Sequence, residues 1–132
     1  MTTTPENDCN SPIRILLIED NEPNRRLMED YLVYLGYRVL ALAGGSMFAS
    51  VLDDFKPQVV LLDLKLPDVD GYEIIGQMQQ RSDWQQIPII VVSACAFVAD
   101  QQRALSLGAQ RYLVKPIRLS DLVQVIREEL TR

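Results

Sequence analysis

Five short runs of β-branched and aliphatic residues punctuate the chain: Ile13 to Ile18, Val39 to Ala43, Val59 to Leu62, Ile89 to Val92 and Tyr112 to Val114. Three of them hold continuous apolar stretches, the pattern of central strands in a parallel sheet covered on both faces. Between the runs, apolar residues recur at helical spacing. Leu27, Met28, Tyr31, Leu32 and Leu35 form one stripe, stopped by Gly36, and Met47, Phe48, Val51, Leu52 and Phe55 form a second, stopped before Pro57. A third helix is expected from near Gly71, with Tyr72, Ile75 and Met78, and a fourth from about Asp100 to Gly108. A fifth opens at Ser120, a good N-cap, and carries Leu122, Val123, Ile126 and Leu130. This alternation predicts one α/β domain, with right-handed crossovers and helices on both faces of a single sheet.

In open parallel sheets the functional crevice lies beyond the carboxyl ends of the strands. The first strand is followed by Glu19 and Asp20, the third by Asp63, the fourth by Ser93, and the fifth by Lys115 and Pro116. The step from Asp20 to Asp63 spans two strand–helix units; the steps from Asp63 to Ser93 and from Ser93 to Lys115 span one each. The topology therefore gathers these side chains at one edge of the sheet.

Composition narrows the chemistry available there. The chain of 132 residues has 18 acidic and 13 basic residues, a net charge of −5, and no histidine. It holds no Ser/His/Asp or Cys/His nucleophilic site, no HExxH zinc site and no phosphohistidine of its own. The acidic surplus and scattered basic residues argue against nucleic acid binding. No apolar run approaches the ~20 residues of a membrane span. Cys9 and Cys95 form no CxxC pair, so a reducing, cytoplasmic setting is expected. Residues 1–12 are polar, with no basic start and apolar run, and are expected to be a disordered tail before a domain at 13–130.

Three carboxylates gathered together repel unless a cation compensates, and hard oxygen donors favour Mg²⁺. A carboxylate beside Mg²⁺ can act as nucleophile toward a phosphoryl group, with an ammonium from Lys115 and a hydroxyl from Ser93 on the phosphoryl oxygens. The other carboxylates are expected to be solvated surface. Taken singly, each signal is weak: Glu19-Asp20 reads as a loop or helix cap, Ser93 as a turn hydroxyl, Lys115-Pro116 as a plain turn. Their order at the ends of four strands carries the reading.

Three competing readings fail on residues. In Asp68-Val69-Asp70-Gly71, aligning Gly71 with the glycine of an EF-hand puts Leu66 and Gln77 at the key ligand positions. A flavin phosphate would be repelled by Glu19, Asp20 and Glu22. A haloacid dehalogenase-type phosphatase wants an Asp two residues after the nucleophile, where this chain has Lys65.

The segments IRILLIEDN, VVLLDLKLPDVDGYE, IIVVSA and RYLVKP resemble the receiver domain of two-component response regulators, over roughly Ile13 to Leu130, with the stand-alone, single-domain type nearest in flavour. The resemblance implies a flavodoxin-like three-layer sandwich with strand order 2-1-3-4-5 and five helices. It makes Asp63 the phospho-acceptor, and Glu19, Asp20, Asp63 and the Lys65 carbonyl the Mg²⁺ ligands. It makes Ser93 the switch hydroxyl, Lys115 the lysine partner of the phosphoryl group, and Tyr112 the aromatic ring that moves on activation. Lys115–Pro116 is then a cis peptide.

The implied partners are a sensor histidine kinase or histidine phosphotransfer protein, and a downstream protein that docks on the face of helix four, strand five and helix five. That face would include Gln101, Arg103, Leu105, Tyr112 and Leu119. The chain stops at Arg132 with no effector domain, so output is expected through protein contact, with room for a weak homodimer. It is not an enzyme beyond accepting a phosphoryl group from a donor and slowly losing it. The alternatives are a degenerate interaction module that cycles no phosphate, or a receiver excised from a hybrid kinase. The Lys65 side chain is expected to hinder attacking water, and Cys95 is read as an apolar filler.

Overall fold

The computed structural model describes residues 11–131. Residues 1–10, which include Cys9 and most of the expected tail, lie outside the described residues. In chain order the elements are β1 (Arg14–Ile18), α1 (Glu22–Tyr34), β2 (Arg38–Leu42), α2 (Phe48–Phe55), β3 (Val59–Leu62), α3 (Gly71–Met78), α4 (Ser82–Gln85), β4 (Ile89–Ser93), α5 (Val98–Leu107), β5 (Arg111–Val114) and α6 (Leu119–Leu130). The strands form one parallel sheet in the order β2-β1-β3-β4-β5. Both the fold class and the strand order agree with the sequence-based expectation.

The alternation of strand side chains sorts the core into two layers. Leu16 and Ile18 of β1, Val60 and Leu62 of β3, and Ile89 and Val91 of β4 pack with Phe48, Leu52, Ile74, Ile75, Met78, Trp84 and Ala104 from α2 to α5. The intervening residues, Ile15, Leu17, Val59, Leu61, Ile90 and Val92, pack with Met28 and Leu32 of α1 and Leu122, Val123, Val125 and Ile126 of α6. Every residue of β3 and β4 is buried, which is why these strands read as unbroken apolar runs.

The structure revises several element boundaries. A short helix absent from the expected five, α4, carries Trp84, which is buried with its ring centroid 5.9 Å from that of Phe48. Burial of this indole, not helix periodicity, holds a segment that reads as a polar loop. Helix α5 begins at Val98, two residues before Asp100. Helix α6 begins at Leu119 with Arg118 at its N-cap, and Ser120 stands exposed inside its first turn. Leu119 packs against the α1–α6 core, and this moves the helix start ahead of the residue with the better capping chemistry. The same contact turns Leu119 toward α1, away from the face on which it was expected.

Helix α1 starts on a side-chain cap, the Asn21 carboxamide accepting from the Asn24 amide at 3.0 Å, with Pro23 in its first turn where a missing N–H costs nothing. This short run fixes where the chain leaves the acidic pair after β1.

Candidate functional site

The sheet register brings the strand ends together. Ile18 pairs with Leu62, so the residues that follow, Glu19 and Asp63, leave adjacent strands side by side. Ser93 pairs with Val114, and the Lys115 amide donates to the Ser93 carbonyl at 2.9 Å. The peptide from Lys115 to Pro116 is cis, as the resemblance implied. Glu19, Asp63 and Ser93 are buried, at 1 %, 6 % and 1 % exposure, while Asp20 is exposed.

Lys115 joins the two buried carboxylates. Its Nζ lies 2.6 Å from Glu19 Oε1 and 3.0 Å from Asp63 Oδ2. The other oxygens are held by the backbone: the Asn21 amide donates to Glu19 Oε2 at 3.0 Å, and the Lys65 amide to Asp63 Oδ1 at 3.2 Å. Arg25 steadies the turn through the Glu19 carbonyl at 3.1 Å. Burial pushes the Glu19 carboxyl above its ordinary pKa, against the pull of Lys115 and the Asn21 amide. Burial disfavours the Lys115 ammonium, but its bonds to Glu19 and Asp63 outweigh this and raise its pKa.

The cluster of Glu19, Asp20 and Asp63 presents one oxygen from each side chain within 4.8 Å of the others. Three carboxylates against one ammonium leave two formal negative charges, and the donors are all hard oxygens. That set suits a divalent ion such as Mg²⁺ better than a soft metal.

Ser93 Oγ accepts from the Cys95 amide at 3.2 Å, which holds the loop after β4 against the strand end. Tyr112 sits opposite Val91 in the register, and its hydroxyl donates to the Cys95 carbonyl at 2.7 Å. Burial pushes the Tyr112 phenol up to about 12. The hydroxyl of Ser93 and the ring of Tyr112 are thus tied to the same three-residue stretch. An open cleft of about 530 Å³, lined in part by Leu64, Lys65, Tyr72, Cys95 and Asp100, separates this stretch from the loop after β3. Phe97 and Val98, at the start of α5, are 79 % and 65 % exposed.

Glu19, Asp20, Asp63, Ser93 and Lys115 thus lie at the carboxyl ends of their strands, whereas Tyr112 lies within β5. Two features were missed. Lys115, read as a partner for phosphoryl oxygens, also pairs with Glu19. Asp68, left in a loop, accepts from the amides of Gly45 and Ser46, both at 2.9 Å; the Gly44-Gly45 pair before an uncapped helix was the available signal. One further expectation fails. Not all remaining carboxylates are solvated: Glu129 is buried at 6 % exposure, its Oε2 3.3 Å from Arg111 Nη1 of β5.

Residues 15–127 match the family model of the response regulator receiver domain, and the chain belongs to that family. Among curated relatives it is 37 % identical over 119 residues to the probable transcriptional regulator ycf27 of Porphyridium aerugineum, covering 90 % of this chain and 48 % of that protein. It is 29 % identical over 119 residues to the polar-differentiation response regulator DivK of Brucella anthropi, covering 90 % of this chain and 97 % of DivK. The chain therefore spans about half the length of the ycf27 relatives and nearly all of DivK. Among solved structures, the receiver domain of a Pseudomonas aeruginosa sensor histidine kinase, with magnesium coordinated in its active-site cleft, superposes with a TM-score of 0.84 at 30 % identity, over 92 % of this chain and 100 % of that one. The BeF3-activated N-terminal receiver domain of RstA from Klebsiella pneumoniae gives 0.84 at 25 % identity, over 90 % and 99 %.

The chain is thus of the receiver-domain class, the phosphorylation-activated switches of two-component signalling. Its acidic cluster can hold a metal ion. Among the described residues no helix is long and apolar enough to cross a membrane.

Proposed function

We propose that Asp63 accepts a phosphoryl group from a phosphohistidine on a partner kinase or phosphotransfer protein. An Asp63 carboxylate oxygen attacks phosphorus, the phosphorus–nitrogen bond breaks, and the imidazole leaves with its electron pair. Glu19, Asp20, Asp63 and the Lys65 carbonyl would hold Mg²⁺, which supplies charge neutralisation of the transferring group. Lys115 stabilises the phosphoryl oxygens by releasing part of its contact with Asp63 while keeping Glu19. The Ser93 hydroxyl bonds the phosphoryl group, and because Cys95 and Tyr112 are tied to the same stretch, its movement reaches the surface of α5, β5 and α6.

That surface, with Gln101, Arg103, Leu105 and Tyr112, passes the signal to a downstream protein. The acyl phosphate is lost slowly to water, and the setting is the cytoplasm. The observation that carries this reading is the contact of one ammonium, Lys115, with two buried carboxylates, Glu19 and Asp63, at the strand ends.

The test is Mg²⁺-dependent labelling by acetyl phosphate. The parent is expected to label and the Asp63→Asn protein to remain unlabelled. Equal labelling of both would remove Asp63 as the acceptor.

A further inference from the structure

The loop from Leu64 to Asp70 carries Lys65, yet within itself it is tied only at its base. The Gly71 amide donates to the Leu64 carbonyl at 3.0 Å, and Lys65 bridges to Asp70. Its tip is secured elsewhere. Asp68 Oδ1 accepts from the Gly45 amide and Oδ2 from the Ser46 amide, so the carboxylate grips two consecutive donors of the β2–α2 loop.

Both sides of this contact are built for it. Helix α2 has Met47 at its N-cap with no side-chain acceptor, and no acidic residue in its first turn. Asp68, from another loop, instead holds the two amides that lead into this helix start, Gly45 and Ser46. Gly45 is buried, so its amide needs a protein partner. A Cβ at Gly44 would stand 2.7 Å from Asp68 Oδ2, and one at Gly45 would stand 2.5 Å from Val69 Cγ2 and 2.6 Å from Ile74 Cδ1. Gly44 leaves room for the carboxylate, and Gly45 leaves room for Val69 and Ile74 beside it. The bonds from Gly45 and Ser46 hold the Asp68 carboxyl down to about 2, so it stays charged.

The β2–α2 loop is in turn fixed to the other wall of the site. The Leu42 carbonyl, at the end of β2, accepts from the Glu19 amide at 3.0 Å. A continuous path thus runs from Glu19 through Leu42, Gly45 and Ser46 to Asp68 and back along the loop to Lys65 and Asp63. It closes from outside the ring that Lys115 closes from inside.

We infer that Asp68 is a positioning residue for the metal site: by clamping the β3–α3 loop to Gly45 and Ser46, it sets the distance between the Lys65 carbonyl and the carboxylates of Glu19 and Asp63. Asp68 is not a ligand, since its carboxylate is committed to the two amides. The inference rests on the proposed Mg²⁺ site and adds a residue outside it. Partners that orient metal ligands without touching the ion typically govern roughly 10–100-fold in affinity.

The experiment is calorimetric titration of Mg²⁺ into the full chain and its Asp68→Ala and Asp68→Asn variants, with acetyl phosphate labelling as a function of Mg²⁺. Asp68→Ala is expected to bind Mg²⁺ roughly tenfold more weakly and Asp68→Asn, which keeps one acceptor, by less. Labelling at saturating Mg²⁺ is expected to return to the parent rate, because Asp63, Ser93 and Lys115 are untouched. Asp53→Ala serves as the control. It removes one of the two carboxylate partners of Arg81, at the other end of α2 and 2.9 Å away, and is expected to lower stability slightly while leaving Mg²⁺ affinity unchanged.

The inference is overturned if both Asp68 variants bind Mg²⁺ like the parent, or if Asp53→Ala weakens binding as much. Should Asp68→Ala fail to fold, Asp68→Asn decides. A parent that binds no Mg²⁺ sinks the site itself, whereas a parent that binds, with Asp68 variants that bind equally, sinks only the role of Asp68.

Discussion

Replacing Lys115 with Met removes the one ammonium between two buried carboxylates and keeps most of its apolar stem. Glu19 and Asp63 are 1 % and 6 % exposed, and without Lys115 each keeps only one backbone amide of the bonds described. Removing one partner of a buried ion pair costs about 3–5 kcal/mol, and the Lys115 side chain, 18 % exposed, places this case near the lower figure. At roughly 3–5 °C per kcal/mol for a domain of this size, thermal unfolding followed by circular dichroism should shift down by about 10 °C at pH 7 without Mg²⁺.

The deficit should also depend on pH. Glu19 has a folded pKa raised above its ordinary value of 4.5, chiefly by burial. A carboxyl of this kind contributes stability that is fully present below the ordinary value and lost as pH rises through the folded one. Lys115 pulls Glu19 down, so its removal raises the folded pKa further and makes the charged form costlier at neutral pH. The gap between parent and variant should therefore narrow as pH falls from 7 toward 5. Lys115 itself, with its pKa raised above 10.5, stays charged across this range. Added Mg²⁺ should stabilise the variant more than the parent, because it supplies the missing positive charge. A deficit that is the same at both pH values and indifferent to Mg²⁺ would refute the neutralising role of Lys115.

Gly71→Ala would place a Cβ 2.6 Å from the Leu64 Cα and 2.9 Å from the Asp63 carbonyl oxygen, both backbone atoms that cannot swing aside. A loss of about 1–3 kcal/mol is expected, read as a lower urea midpoint, and an unchanged midpoint would show that the loop relaxes freely. Lys65→Ala keeps the backbone amide and carbonyl but removes the exposed side chain. Loss of label from the phosphorylated protein is expected to speed up, and an equal rate would dismiss the shielding role of that side chain.

The strand pattern was legible because it is local. Val59 to Leu62 and Ile89 to Val92 are apolar throughout because each strand is covered on both faces, and that requirement is written into consecutive residues. The positions of Glu19, Asp63, Ser93 and Lys115 were legible for a related reason, since each directly follows or ends a strand. Helix starts were less so. Ser120 has the better capping chemistry, yet Leu119 and its core contact decide where α6 begins, and Trp84 draws a polar segment into a helical turn by its burial alone.

The amino-acid sequence by itself thus determined the five strands, the order in which the chemistry-bearing residues emerge, and the absence of any histidine to carry a phosphoryl group. Only the tertiary structure decided which of those residues touch. That one ammonium serves both Glu19 and Asp63, that Asp68 holds the loop leading into a helix of another unit, and that Glu129 is buried against Arg111 follow from sheet order and from close approach at Gly44 and Gly45. These contacts join residues far apart along the chain. Strand and helix periodicity reports a residue's own face and not the partner that the fold sets against it.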